Sequence, residues 1–389
     1  MFGQNNALQS FSLGRTKITY LITEALAPYF KNEQRKRIED SYFTLLYDET
    51  TNAAGRKELH IAIRYWCESM NSIVTQHLET FFIGKSRADD ICMTFSTVGR
   101  WEDFCVVLEK YNFPFYHFLR HVPQRWLTIE DAGKRALLLW TATKYYFFEY
   151  ILREKKDKTL MESLAYRRIA NLLKRPTMKE EVMFVVLSAN IFTSVTSVFQ
   201  REEPLIHLLY SELKNLIKIL IGRCKNTNLA YDEIFKGSNL LQPDKVVVDK
   251  TILDELDRCG DSVAKIQFLE KASNHYVSAC QYILEKSSLQ SKNNILRSVR
   301  CLHPSERQKS YSISAIMTAA KALPFEIQTD ILTDEWKLLQ EEKYPETDIS
   351  KIRIDVYWSY FFTLKNSFGN IKYPIKSQHK NVVCKILIQ

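Results

Sequence analysis

Asp48 is the residue whose position in the sequence best suits a chemical role. Apolar residues crowd from Tyr42 to Tyr47, and Asp48 ends that run. Turn-forming residues follow before a second β-rich run, so the pattern predicts a strand that presents a carboxylate at its end. Asp89 and Asp90 lie in the first turn of a predicted helix, where carboxylates favour the positive end of the helix dipole.

Other arrangements of chemically active residues are not recognisable in the sequence. Only 10 glycines occur, and they form no Gly-rich phosphate loop. No Ser-His-Asp or Cys-His nucleophile set can be identified. Cys301 and His303 have a spacing that is poor for one zinc site, and no second pair lies nearby. The sequence therefore predicts no metal site.

The elements that would position Asp48 are three strands followed by helices. Three runs, 42–47, 59–66 and 73–83, are joined by short polar turns, which predicts an antiparallel meander. From Trp101 onward the pattern is helical, with helices predicted over 102–111, 129–153, 160–174, 179–199, 203–221 and 250–286. The predicted fold class is α+β, mostly α.

Six segments spread along the chain occur in a characteristic order. They are FSLGRTKITYLI (11–22), YFTLLYDETTN (42–52), LHIAIRYW (59–66), HVPQRWLTIEDAGKRALLLW (121–140), TDEWKLL (333–339) and DVYWSYFFTLKNSFGNIKYP (355–374). In this order they resemble the hAT-superfamily transposases. The resemblance implies the remnant of an RNase H-like three-stranded antiparallel sheet plus a large all-helical insertion domain.

The reaction that the resemblance implies needs three acidic residues, Asp, Asp and Glu. In the family they hold two divalent metal ions, Mg²⁺ or Mn²⁺, for an in-line phosphoryl displacement. Asp48 matches the first acid. The strand that should carry the second acid, with its Asp-Gly and Cys-x-x-His motifs, is not found, and we expect an internal deletion with its junction near Met93 to Val98.

The third acid should follow Tyr373 and Pro374 in a Glu-Arg type segment, which is not found either. We therefore expect that the chain is also truncated at its C-terminal end. Because one carboxylate cannot hold the metal pair, we predict that the chain is not an enzyme and uses no cofactor. Asp48 is then a remnant of lost chemistry or a solvated turn residue.

Arg125 and Trp126 are the other candidate site residues that the resemblance implies. The matching pair in the family lies near the active site, and its Trp is placed to stack on a base flipped out at a hairpinned DNA end. The alternative is that Trp126 is a buried anchor for the helix beginning at Ile129.

Basic and aromatic residues are interleaved through the first predicted helices after that pair. Such a face could follow DNA phosphates, although solvated helix faces have the same composition. The residues are Lys134, Arg135, Lys144, Tyr145, Tyr146, Arg153, Lys155, Lys156, Lys158, Tyr166, Arg167, Arg168, Lys174 and Arg175.

The resemblance divides the chain into four parts. Residues 1–40 are an N-terminal helical lead-in, and 41–98 are a truncated RNase H-like core. Residues 99–345 are the all-helical insertion domain. Residues 346–389 are the start of the returning C-terminal core and dimerisation region, which is truncated.

Composition is compatible with a nucleic-acid partner and with a reducing compartment. The formal net charge is +9 and the pI is about 8.9, which suits DNA but also a lysine-rich solvated surface. The 8 cysteines form no CxxC pair and no signal peptide is recognisable, so we expect a nuclear or cytoplasmic protein, the nucleus being favoured by the resemblance. The apolar run from Val182 to Phe199 carries several polar residues and predicts a buried helix rather than a membrane span.

Three functions follow from these observations. The first is a catalytically inactive, domesticated or relic transposase-like protein that retains DNA binding. The second is a protein-interaction scaffold or homo-oligomer that associates through apolar helices without binding DNA. The third is a fragment of an active metal-dependent transposase, if the sequence lacks parts of the natural protein.

Overall fold

The chain forms two compact units. The computed structural model describes residues 14–38, 42–52, 57–84, 101–113, 115–119, 127–224, 245–287, 289, 295–323, 327–345, 348–349, 352–373 and 382–388. Unit 1 comprises Met1–Lys85, Glu202–Ile206 and Cys301–Gln389, and unit 2 comprises Ser86–Arg201 and His207–Arg300. Helices predominate and one small antiparallel sheet is present, which confirms the predicted class of α+β, mostly α.

The elements are numbered here in chain order. The strands are β1 (Phe43–Thr51), β2 (Lys57–Cys67) and β3 (Ser72–Gly84). The helices before residue 200 are α1 (Arg15–Tyr20, Leu21–Leu26 and Ala27–Ile38, the middle segment π-helical), α2 (Trp101–Lys110), α3 (Leu127–Leu138), α4 (Trp140–Tyr145 and the π-helical Tyr146–Lys155), α5 (Lys158–Glu162), α6 (Leu164–Leu173) and α7 (Met178–Phe199). The later helices are α8 (Ile206–Cys224), α9 (Lys250–Cys259), α10 (Ser262–Ser287), α11 (Ile295–Val299), α12 (Pro304–Arg307), α13 (Ser312–Lys321), α14 (Thr329–Glu341), α15 (Ile354–Thr363) and α16 (Val382–Ile388).

The sheet of unit 1 is an antiparallel meander with the strand order β1-β2-β3. On one face, Ile63, Tyr65 and Cys67 of β2 are buried. Helix α1 is tied to β3 by an ion pair of 2.6 Å between Lys31 and Glu79. Alternation of apolar and polar residues along β2 produces this buried face because successive side chains of a strand point to opposite sides.

A buried carboxylate joins α15 to β3. Asp355 is fully buried, and its Oδ2 accepts hydrogen bonds of 2.8 Å from the backbone N–H of Ile73 and from Nη2 of Arg353. Arg353 also donates to the carbonyl oxygen of Ile73 at 3.2 Å. This arrangement satisfies backbone groups of β3 with side chains that lie about 280 residues later in the sequence.

Two tryptophans form the centre of the helical part of unit 1. Trp336 of α14 and Trp358 of α15 stack with ring centroids 5.5 Å apart, and both are buried. Their indole N–H groups donate to the Ser312 hydroxyl at 3.0 Å and to the Leu302 carbonyl at 2.9 Å. Arg307 caps the end of α14 by donating to backbone carbonyls there.

The described part of unit 2 contains two clusters of buried apolar side chains. One cluster joins α2, α4 and α6, and the other joins α8, α9 and α10 with the segment before α9. Helices α3 and α7 approach each other closely at Gly133. A Cβ atom at this position would clash with the side chain of Val186. The same helix pair is linked by Asn190, which donates to Glu130 at 3.3 Å.

Several predicted helices are broken in the structure. The helix predicted over 129–153 is interrupted at Leu139 and becomes π-helical from Tyr146. The helical run predicted over 250–286 consists of two helices, separated at Gly260, which has a φ of +71° and ends α9. A similar break occurs at Ser163, whose hydroxyl accepts from the N–H of Tyr166 and caps α6.

Helix α7 is long and apolar enough, by length and composition, to cross a membrane, and it is the one such helix among the described residues. Only 17% of its most apolar window is buried, so the prediction of a buried helix over this run is wrong for most of its side chains. Core helices of soluble proteins can pass the same test, and this one packs against α3.

The predicted domain limits group residues 301–345 with the helical insertion, whereas packing places them in unit 1. The insertion itself stays a prediction from the family resemblance. The expected deletion junction near Met93 to Val98 lies outside the described residues.

Candidate nucleic-acid interface

Asp48 lies within β1 rather than at its end. Pairing with β2 continues past it to Thr51, and Asp48 is opposite His60. The predicted strand end is therefore three residues too early, because the backbone ladder continues through polar residues. The Asp48 side chain is exposed, as expected for a carboxylate at the sheet surface.

A row of polar side chains crosses the sheet beside Asp48. The Thr80 hydroxyl lies 3.1 Å from Nδ1 of His60 and 2.8 Å from Nε2 of His77. The other ring nitrogen of His60 lies 3.3 Å from Glu58. Both nitrogens of His60 are therefore engaged by polar groups of the sheet.

These polar residues do not form a metal centre. Across the part of the chain that the structure describes, no group of three or more His, Cys, Asp or Glu side chains is arranged to hold a metal ion. Asp89 and Asp90 lie outside the described residues, and so do Arg125 and Trp126, whose predicted roles stay predictions.

Several of the basic residues singled out in the sequence are held by acids in unit 2. Lys134 pairs with Glu130, Arg153 with Glu149, Lys155 with Asp103, and Arg175 with Glu181. Two of the interleaved aromatics, Tyr146 and Tyr166, are buried in the core. The two tyrosines are therefore not available to stack on a base, and each of these four cations already has an acidic partner.

Three exposed cations, Lys144, Arg167 and Lys174, together with the ring of Phe148 define what we call the basic–aromatic face. Lys156, Lys158 and Arg168 of the same set are exposed as well. None of the three cations of the face forms an ion pair with an acid among the described residues. Nζ of Lys174 lies 5.9 Å from the centre of the Phe148 ring. Lys144 precedes Phe148 by four residues in α4, a spacing that places two side chains on the same face of a helix. Arg167 precedes Lys174 by seven residues, a spacing that does the same along α6 and its end.

The core beneath this face fixes the helices that carry it. The ring of Tyr166 stacks on Phe147 with centroids 5.3 Å apart, and its hydroxyl donates to the Phe147 carbonyl at 2.7 Å. Burial raises the pKa of the Tyr166 hydroxyl. These contacts join α6 to the π-helical part of α4 and so hold Phe148 beside Lys174, the residue that follows α6.

No protein-family model matches the chain, and no curated protein matches it. The resemblance to hAT transposases therefore rests on the six sequence segments and stays a prediction.

Phe148 is the member of this face that the sequence pattern did not single out. Its spacing of four residues from Lys144 is a signal that could have identified it. The pairing of Lys155 with Asp103 spans 52 residues and has no such signal.

Proposed function

We propose that this chain is a catalytically inactive, hAT-transposase-derived protein that binds DNA through the helical unit 2. The observation that carries the proposal is the basic–aromatic face, where three exposed cations have no acidic partner among the described residues and one of them, Lys174, lies 5.9 Å from the half-buried ring of Phe148. Cations of this kind bind phosphates without sequence preference, and an aromatic side chain beside them can stack on an unpaired base. We place the protein in the nucleus.

The transposase origin is supported by the organisation of the chain. Helix α1 and a three-stranded meander come first in unit 1. The chain then forms the helical unit 2, with a short return to unit 1 at Glu202–Ile206, and continues in unit 1 from Cys301. This path agrees with an RNase H-like core that is interrupted by a helical insertion. The RNase H-like origin is part of the proposal.

The triple variant Lys144→Gln, Arg167→Gln, Lys174→Gln will bind single-stranded DNA more weakly than the wild type. Each cation that neutralises a phosphate contributes about 0.7 to the slope of log affinity against log salt concentration, so the slope should decrease by about 2. Fluorescence anisotropy of labelled single-stranded and hairpin DNA over a NaCl series measures both quantities.

The matched control replaces Lys218, Lys245 and Lys250, which are also exposed in unit 2, with Gln. It removes the same number of charges from another part of the unit. An equal loss of affinity in both triple variants would assign binding to net charge and contradict the proposed face.

Neither the wild type nor Asp48→Ala will cleave hairpin DNA in the presence of Mg²⁺ or Mn²⁺. The implied reaction needs three carboxylates around two metal ions, and Asp48 is the only one that the resemblance places in this sequence. Asp48→Ala should also bind DNA as the wild type does, because Asp48 belongs to unit 1. Metal-dependent cleavage that is lost in Asp48→Ala would favour an active transposase instead.

Self-association is a second candidate function, which the exposed edge of the sheet favours. Among the described strands β1 lies at one edge, and Phe43, Leu45 and Tyr47 are 49%, 50% and 75% exposed. An exposed apolar edge strand can pair with another chain, and a charged side chain there opposes such pairing.

If β1 mediates self-association, Tyr47→Lys will shift the protein toward the monomer in sedimentation velocity. Met70→Lys is the matched control, because Met70 is 62% exposed in the turn between β2 and β3. A wild type that is monomeric at all concentrations, or an equal effect of the two variants, would contradict this second function.

A further inference from the structure

A pocket of about 500 Å³ lies within unit 2, and its described lining includes no residue of the basic–aromatic face. Its walls are contributed by α7, α8, the segment Val247–Asp249, the first turn of α9, and α10. The volume is in the range of small-molecule sites, which span about 300–1,000 Å³.

The described lining of the pocket combines apolar side chains with four polar or charged ones, Asn190, Ser194, Arg223 and Asp249. Phe184, Leu187 and Ile191 of α7 face Ile219 of α8 and Ile252 of α9 across it. Leu187 and Ile219 are 37% and 48% exposed, so the pocket opens to the surface at these side chains. An apolar ligand body would remove these side chains from water.

Arg223 is the basic residue among the described lining residues of the pocket. Its Nη1 donates to the hydroxyl of the buried Tyr276 at 3.2 Å, and its guanidinium lies 5.7 Å from the centre of the same ring. The structure assigns Arg223 no ion pair within the described residues of unit 2. A guanidinium has five N–H donors in a planar fork that matches a carboxylate, so donors remain for a ligand.

Asp249 is the acidic residue in the same lining. Its Oδ1 accepts a hydrogen bond of 2.9 Å from the N–H of Thr251 and another from the Thr251 hydroxyl. Asp249 is thereby the N-cap of α9. These bonds, together with the charge of Arg223, lower the pKa of Asp249. Oδ1 of Asp249 therefore points to the N-terminus of α9. The negative charge of Asp249 still reduces the positive potential at Arg223.

We propose that this pocket binds a small amphipathic monocarboxylate, with the apolar chain against α7 and α8 and the carboxylate on Arg223. Apolar side chains together with the guanidinium of Arg223 match a ligand with an apolar body and one anionic end, and Asn190 and Ser194 offer further polar contacts. This site is independent of DNA binding.

Isothermal titration of the full chain with octanoate and with 1-octanol tests the proposal. Octanoate should bind at least about 10-fold more tightly, which is the lower end of what a hydrogen bond to a charged group contributes. Arg223→Met should remove that difference, whereas Arg168→Met, at an exposed arginine of the same unit, should preserve it. Equal binding of the two compounds to the wild type, or no binding of either, would overturn the proposal.

A second pair of variants tests the position of the site without changing charge. Leu187→Trp should fill the pocket and weaken octanoate binding by about 10-fold or more. Val185→Trp, on the same helix and 41% exposed but outside the lining, should leave it unchanged. Octanoate binding that survives Leu187→Trp would place the ligand outside this pocket and overturn the assignment.

Discussion

Replacing Asp355 with alanine will lower the free energy of unfolding by about 2–4 kcal/mol, because the change leaves buried groups without their partner. The carboxylate accepts from the N–H of Ile73 and from both Nε and Nη2 of Arg353. Arg353 is partly exposed, so water can compensate for part of its loss, but Ile73 is buried. Denaturant unfolding followed by circular dichroism measures the change.

The control for this prediction is Asp334→Ala. Asp334 pairs with Lys337 at the surface of α14 at a distance of 3.4 Å, and its side chain is 76% exposed. Exposed pairs of this kind contribute about 0–1 kcal/mol, so this variant should unfold nearly as the wild type does. An Asp355→Ala variant as stable as this control would show that the link between α15 and β3 does not stabilise unit 1.

Trp358→Ala will destabilise the protein by about 3–5 kcal/mol, the range measured for truncating a large buried aromatic side chain. Trp358 is fully buried, stacks on Trp336 and donates to the Leu302 carbonyl. The variant therefore leaves a cavity and a buried carbonyl oxygen without its donor. Thermal and denaturant unfolding should both show the loss.

Two further variants separate the parts of this effect. Trp358→Phe retains most of the apolar volume but removes the indole N–H, so it should cost about 1–3 kcal/mol. Val356→Ala on the same helix, where Val356 is 43% exposed, should change stability by less than about 0.5 kcal/mol. A Trp358→Ala variant that is no less stable than Val356→Ala would contradict the position of Trp358 in the core.

Local patterns along the sequence predicted the sheet and most helix positions. The three strands follow from β-rich runs separated by turn residues, and the meander pairs them in that order. The extension of β1 beyond Asp48 was missed, because cross-strand pairing with β2 overrides the polar character of the residues there. Gly260 could have been read as a helix end, since glycine favours the left-handed conformation that it adopts.

Contacts between distant parts of the chain could not be predicted from one sequence. Asp355 and Ile73 are 282 residues apart, and nothing in either segment indicates the other. The same limit applies to the candidate interface. Lys155 pairs with Asp103 across 52 residues, and neither segment indicates this partner. Composition shows that the protein is basic, but it does not show which cations have acidic partners. The packing of the helices shows that Lys144, Arg167 and Lys174 have none among the described residues.

Binding of the wild-type chain to hairpin DNA, measured by fluorescence anisotropy at NaCl concentrations from about 50 to 200 mM, tests the central claim most directly. The proposed face predicts measurable affinity at low salt that decreases steeply as salt increases and depends little on the DNA sequence. Absence of binding at low salt, or affinity that salt does not change, would contradict a function based on the cations of unit 2.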